Sequence, residues 1–415
     1  GAATYLGSRG IGALAATGPV TTKRVHLAAT DGWVSMPTGA SPVPGYWPDT
    51  LAPAPYNMYV FGFRDVSNLT TAQMMAQRGR AQISAPVLAF DQETQIEVAL
   101  TNLGLSQRPD LVDGHTMHWH GFNNAIPIFD GVPEMSASVP IGKTMTYLYR
   151  PHEPGTYMYH CHFEDVEHVQ MGMTGVLFVQ PRQNLGNPGK GIAPGKYVYN
   201  DGDGSTAFDR EFTLFLSDWW LESHWKSSHI QQPDWSDFQA QAWLMNGRQY
   251  PDTLLPSHDV NRNNESSGGV PTGDPITSAD QPDLYRLRYQ PFSSLIQANA
   301  GERVLLRMAN LGYQRHALTL PGIPLNVVGK DSMLLRGRNG EDLSYRTDTI
   351  DIAPGESFDV IFEAPSTGGG VDAYPLYGRD FADDPNRNDP GYGGQATEVR
   401  IHPAGALPPQ TAPNT

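Results

Sequence analysis

The chain repeats itself, and the repeat limits what it can fold into. Gln95-Ile96-Glu97-Val98-Ala99-Leu100 alternates apolar and polar side chains, and Glu302-Arg303-Val304-Leu305-Leu306-Arg307-Met308 reads as a second strand of that kind. Both run into nearly the same turn, Thr101-Asn102-Leu103-Gly104 and Ala309-Asn310-Leu311-Gly312. Farther on, VPIGKTMTYLYR (Val139 to Arg150) is answered by IAPGESFDVIFE (Ile352 to Glu363), and YHCHF (Tyr159 to Phe163) by YGRDF (Tyr377 to Phe381). Three matches in one order predict a β-module present twice, over residues 21–181 and 210–402. A linker, 182–209, joins them in this reading, with 1–20 a flexible N-terminal tail and 403–415 a disordered Pro-rich tail. The expected fold class is all-β: a chain of 415 residues is too long for one core, and its 43 Gly and 35 Pro suit many short turns.

The copies differ where chemistry is concentrated. HTMHWHG (His115 to Gly121) becomes HALTLPG (His316 to Gly322), keeping only the first histidine. His160, Cys161 and His162 become Gly378, Arg379 and Asp380. The second module is expected to fold without these side chains, so in the first they are expected to carry function. Strand alternation then sorts them by face. Cys161 points one way with His115, while His118, His120, His160 and His162 point the other.

A thiolate, two imidazoles and a distant thioether make the ligand set of blue copper. Cys161 and His115 supply two of the four. The loop after Cys161 must supply the rest: His168 is the only histidine in it, and Met173 fits the turn better than Met171. Zinc is the competing metal, but it usually takes more cysteines, or histidines without a trailing methionine. The four-histidine group has no thiolate and suits copper that binds oxygen or another small oxidant. Asp130, in FDGVPEM, reads equally as a hydrogen-bond partner for one of these imidazoles or as a turn residue. His152 reads as surface and His316 as packing, and His26, His224, His229, His258 and His402 show no partner pattern.

The remaining features narrow the classes. A formal net charge of −15 without basic clusters argues against nucleic acid or an anionic membrane as partner. No apolar run approaches the roughly 18 residues of a membrane span. A single cysteine rules out an intrachain disulfide, so bridges reveal no compartment. The first twenty residues read as what remains after an export signal, which predicts a secreted, periplasmic or cell-surface protein. Asp201 to Gly204 (DGDG) reads as a plain turn, Trp219 to Trp243 as surface helix or packing, Ser257 to Asp283 as a polar loop, and the scattered methionines as core filling.

HTMHWHG, FDGVPEMSASVPIG and GTYMYHCHFEDVEHVQMGMTGVLFV resemble the copper-binding segments of the multicopper oxidases, the laccase-like proteins built from cupredoxin domains. The specific match covers about sixty residues of the first module and a weaker one extends over both. The resemblance implies two cupredoxin-like Greek-key β-sandwich or barrel domains, the second without copper. It assigns type 1 copper to His115, Cys161, His168 and Met173, type 2 copper to His118, and the type 3 pair to His120, His160 and His162. It further implies that a small-molecule or metal-ion donor gives electrons one at a time through a solvent-facing edge of His168, and that Cys161 relays them towards dioxygen. Glu164, Asp165 and Glu167 beside His168 would favour cationic or neutral donors.

One departure from the family stands out. A full trinuclear cluster uses eight histidines from two facing domains, and this chain offers four; Thr319, Pro321, Gly378 and Asp380 stand where the others would be. Two first modules could face each other in a homo-oligomer, a dimer or trimer, or a smaller site could persist. Alternatively the chain is a blue-copper electron-transfer or copper-handling protein without oxygen turnover. A nitrite-reductase-like enzyme is a further alternative, disfavoured because in those enzymes an aspartate stands at the position of His118.

Overall fold

The computed structural model describes residues 22–37, 43–123, 125–258, 277–379 and 393–414. The expected N-terminal tail 1–20, most of the polar loop (259–276) and Asp380 lie outside the described residues.

Among the described residues eight strands build the first module: β1 (Thr22–Val34), β2 (Met58–Asp65), β3 (Leu88–Asp91), β4 (Gln95–Asn102), β5 (His118–His120), β6 (Thr144–Tyr149), β7 (Gly155–His160) and β8 (Thr174–Gln180). They form two sheets, ordered β2-β1-β4-β6 and β3-β8-β7-β5. The second module contains β9 (Arg210–Trp219), β10 (Ala242–Met245), β11 (Ile296–Asn299), β12 (Arg303–Asn310), β13 (His316–Thr319) and β14 (Leu325–Lys330). It continues with β15 (Met333–Leu334), β16 (Tyr345–Thr347), β17 (Thr349–Ile352), β18 (Ser357–Glu363), β19 (Asp372–Gly378) and β20 (Ala396–His402). Its sheets run β10-β9-β12-β18-β14-β15, with β16 on β14, and β11-β20-β19-β13-β17.

The first topology recurs inside the second. β1 and β4 are parallel, as are β9 and β12. β3 and β8 are parallel, as are β11 and β20. The shared turn explains why the same hydrogen bonds appear in both. Asn102 donates to the carbonyls of Asp113 and Val139 and accepts from Gly104 N–H; Asn310 donates to those of Gln314 and Ile352 and accepts from Gly312 N–H. A buried carboxamide with each group satisfied fixes a loop as firmly as a strand does.

The first core is aromatic. Trp119 stacks on Tyr149 at 3.9 Å, and Tyr59, Phe61, Phe63, Cys161, Met171 and Met173 belong to the same buried cluster. A polar junction fastens the modules. Thr156 donates to Asp359 (2.6 Å), Tyr199 donates to the other carboxylate oxygen (2.6 Å), and buried Arg307 reaches Glu211 (2.8 Å) and Asp359 (3.4 Å). Buried charges are tolerable only when partnered in this way. Met158 and Val176 of one module pack against Phe215 and Ala309 of the other.

One expectation is revised here. The described C-terminal residues, up to Asn414, are docked, not disordered. β9 pairs with β10 only over Leu216–Trp219, which leaves its first half with an open edge. Gln410 bonds both main-chain groups of Glu211 (2.8 and 3.0 Å), and Asn414 those of Thr213 (2.8 and 3.0 Å). Of the two readings of the tryptophan-rich stretch, packing holds at its ends: Trp219, Trp220 and Trp243 are buried, and the helix Leu221–Ser228 places His224 Nδ1 2.6 Å from the carbonyl of Tyr59.

Candidate metal centres

Cys161 follows the last residue of β7, and its N–H still bonds Met173 O (3.1 Å), so the extended backbone continues through it. His115 is held in a bridge with Val139, its N–H and carbonyl at 3.1 and 2.8 Å. His168 sits in the short helix Asp165–Gln170. These three converge: Cys161 Sγ lies 3.8 Å from His115 Nδ1 and 3.3 Å from His168 Nδ1, and all three side chains are buried. Thr116 N–H points at the sulfur (3.4 Å), a contact that would stabilise negative charge on it. Met173 is fully buried and its N–H bonds the carbonyl of His168 (2.9 Å).

Burial drives the His115 imidazole well below its ordinary range, with His168 adding to the effect. Burial would do the same to His168, but its interactions with the Cys161 sulfur and with the carboxylates of Asp113 and Glu167 outweigh it and push it up to about 10. A soft sulfur between two imidazole nitrogens suits copper.

His168 has no solvent-facing edge, which corrects the sequence expectation. Phe61 (5.7 Å between ring centres) and Phe163 (6.3 Å) cover its ring. Its Nε2 faces Asp113 Oδ2 at 3.9 Å, and among the described residues neither atom has a hydrogen-bond partner. One carboxylate oxygen of Asp113, one of Glu164 and a nitrogen of His168 lie within 4.8 Å of one another.

The four remaining histidines lie on the opposite face of the same backbone. His118 and His160 are cross-strand partners in the β5–β7 pair, with ring centres 5.2 Å apart, and His162 is also 5.2 Å from His118. His120 is 6.0 Å from His160. His118 Nδ1 bonds the carbonyl of Asp130 (2.6 Å) and His160 Nδ1 that of Cys161 (2.8 Å), which leaves Nε2 of each available to a metal. It is the Asp130 main chain that makes this contact; its carboxylate stands 3.7 Å off. Gly131 makes the approach possible: its φ is +84°, and a Cβ there would come within 2.2 Å of Met117 O. Burial, then the neighbouring imidazoles, hold His160 down to about 3, so it stays neutral and able to bind metal.

These imidazoles are splayed. Among the described residues they do not gather three nitrogens within 4.8 Å, as His115, Cys161 and His168 gather their ligand atoms. Each would serve a different ion, or one side of a larger cluster. They line a cavity of about 740 Å³ whose other wall is Trp235, Phe238, Tyr313 and Gly355 of the second module. That wall offers no imidazole. Thr319 is hydrogen-bonded to Asp348 O (3.1 Å), and His316 Nε2 is 3.1 Å from Asp218 Oδ2, so the second module uses these positions to hold its own loops.

Two stretches of the chain, residues 67–184 and 210–391, each match a family model described as multicopper oxidase. The chain belongs to the multicopper oxidase family. Family membership makes copper the cofactor of the chain. Laccase-1 of Emericella nidulans is 25% identical over 186 residues, covering 43% of this chain and 28% of its own length. L-ascorbate oxidase of Brassica rapa subsp. pekinensis is 27% identical over 308 residues, 73% of this chain and 45% of that enzyme. The chain thus spans less than half the length of these relatives. The solved structure of the blue copper oxidase from Nitrosomonas europaea superposes with a TM-score of 0.60 at 20% identity, over 92% of this chain and 86% of that one, a likeness of fold. Among the described residues no helix is long and apolar enough to cross a membrane.

Sequence reasoning passed over Asp113, Tyr313 and Gln170. Asp113 was within reach, since it precedes His115 by two residues and alternation puts both on one face. Tyr313 and Gln170 meet the site only through contacts between modules.

Proposed function

We propose that the chain is a copper oxidase that removes single electrons from a phenolic, aromatic or metal-ion donor and delivers them to dioxygen. Bound copper would supply one-electron chemistry at the thiolate site and oxygen reduction at the histidine site. His115, Cys161, His168 and the more distant Met173 would form the type 1 site, His118 the type 2 ligand, and His120, His160 and His162 the type 3 ligands. The observation that carries this reading is the placement of Cys161 between two imidazoles on one extended segment. Its sulfur faces His115 and His168 while the flanking His160 and His162 face the cavity.

The chain's own groups have definable tasks. Asp113 and Glu164 present negative charge to an approaching donor, which favours cationic and neutral ones. Phe61 and Phe163 exclude water from His168. The carbonyls of Asp130 and Cys161 hold the proton on Nδ1 of His118 and His160.

The four splayed imidazoles are half of a trinuclear set, so a homo-oligomer in which a neighbouring copy supplies the other half is part of the proposal. So are domain limits at 21–181 and 210–402, and a secreted, periplasmic or cell-surface location. The test is copper per chain and EPR on one sample, together with oxygen uptake in the presence of a phenol. More than one copper, an EPR-silent pair and phenol-dependent uptake are expected. One copper with a type 1 spectrum and no uptake would make the chain an electron carrier instead.

A further inference from the structure

We infer that the second module positions the loop bearing His168, and that Gln170 is the positioning residue through which it acts. The inference rests on reading His115, Cys161 and His168 as a type 1 copper site.

The helix Asp165–Gln170 has six residues, too few to hold its own shape. Its inner side is fixed within the first module, where Phe61 N–H bonds Met171 O (3.0 Å). Its outer side is held by the second. Gln170 is 2% exposed; its Nε2 donates to Asp218 O (3.0 Å) and its Oε1 accepts the N–H of Trp220. One carboxamide thus satisfies a carbonyl and an amide at the end of β9, as a neighbouring strand would. Tyr313 adds a tether at the start of the helix by donating to Val166 O.

The anchor is itself fixed. The carboxylate of Asp218 accepts N–H groups from Tyr313 (3.1 Å) and Gln314 (3.0 Å) and meets His316 Nε2 at 3.1 Å. Gly312 packs so closely that a Cβ there would fall 2.0 Å from Asp218 Oδ2. His316 is the counterpart of His115 in the repeat. The position that presents an imidazole to Cys161 in one module holds, in the other, the carboxylate whose residue clamps the loop. The separation of His168 from Cys161 is therefore set across the module boundary.

The test compares Gln170→Ala and Gln170→Glu with Thr156→Val, which loosens the boundary away from this loop. All are made in the full chain. In metal-free protein the readout is the rate at which a small thiol reagent modifies Cys161; in copper-loaded protein it is the type 1 absorption and EPR signal. Gln170→Ala should raise the modification rate about tenfold, weaken copper at the thiolate site about 10- to 100-fold and alter its hyperfine splitting. Gln170→Glu keeps the acceptor for Trp220 N–H but loses the donor to Asp218 O, and should fall between; it carries the test if the alanine variant does not fold. Thr156→Val should lower the urea midpoint and leave both readouts unchanged. The clamp is overturned if the Gln170 variants keep the parental thiol reactivity and spectrum, or if Thr156→Val shifts them equally. A parent protein with no type 1 spectrum would instead overturn the site reading, and the thiol measurement would still judge the clamp.

Discussion

His224 should make the metal-free protein acid-labile, by an amount that can be stated in advance. Its ring is buried against Trp219, with centres 4.7 Å apart, and burial holds its proton affinity down to about 4, opposed by the carbonyls of Tyr59 and Gln170. In the unfolded chain the same imidazole titrates near 6.5. Between those values the unfolded state binds a proton that the folded state refuses, so stability falls as pH falls. Each tenfold in proton affinity is about 1.4 kcal/mol, so the full window is worth about 3 kcal/mol, of which about 2 kcal/mol is lost by pH 5. Replacing His224 with Gln retains a donor for the Tyr59 carbonyl and removes the titration. Urea titrations of metal-free parent and variant between pH 7 and pH 4 should therefore diverge, with the variant losing about 3 kcal/mol less than the parent. His160, held down to about 3 by burial, steepens both curves alike. Parallel curves would refute the argument and mean that the His224 ring is already protonated, or reached by water, in the folded state.

Other outcomes follow from the same geometry. Cys161→Ser should abolish the intense visible absorption of copper-loaded protein while leaving copper at the four histidines, read by optical titration and metal analysis. Arg307→Met removes the cation between Glu211 and Asp359 and should cost about 3–5 kcal/mol in urea unfolding, because it strands buried carboxylates. Glu167→Lys should raise KM for a cationic donor and lower it for an anionic one, in steady-state assays at low salt, with the difference shrinking as ionic strength rises. Gly131→Ala should unfold the chain or displace His118, since the added carbon overlaps the backbone of Met117, and loss of type 2 EPR intensity would report the displacement.

The duplicated topology was legible because its signals are local. The Asn-Leu-Gly turns and the alternating strands lie within short windows, and each window dictates its own hydrogen bonds. The facing of Cys161 against its flanking histidines was legible for the same reason, as strand geometry leaves no alternative. What escaped depends on distant partners. Nothing near His168 in sequence announces that Phe61 will close over it. Nor does the Pro-rich C-terminal stretch reveal that its amides match an open edge at Glu211 and Thr213. Gln170 looks like any polar helix residue until Asp218 and Trp220 are brought against it.

The docked C-terminal segment carries a practical consequence for handling the protein. A chain trimmed after His402 would keep every described strand, yet the main-chain groups of Glu211 and Thr213 would lose the amides of Gln410 and Asn414. A bared edge of that kind invites pairing with a strand from another molecule. Proteolytic clipping there should thus first appear as self-association of otherwise intact protein, and a purification tag is better kept off that end.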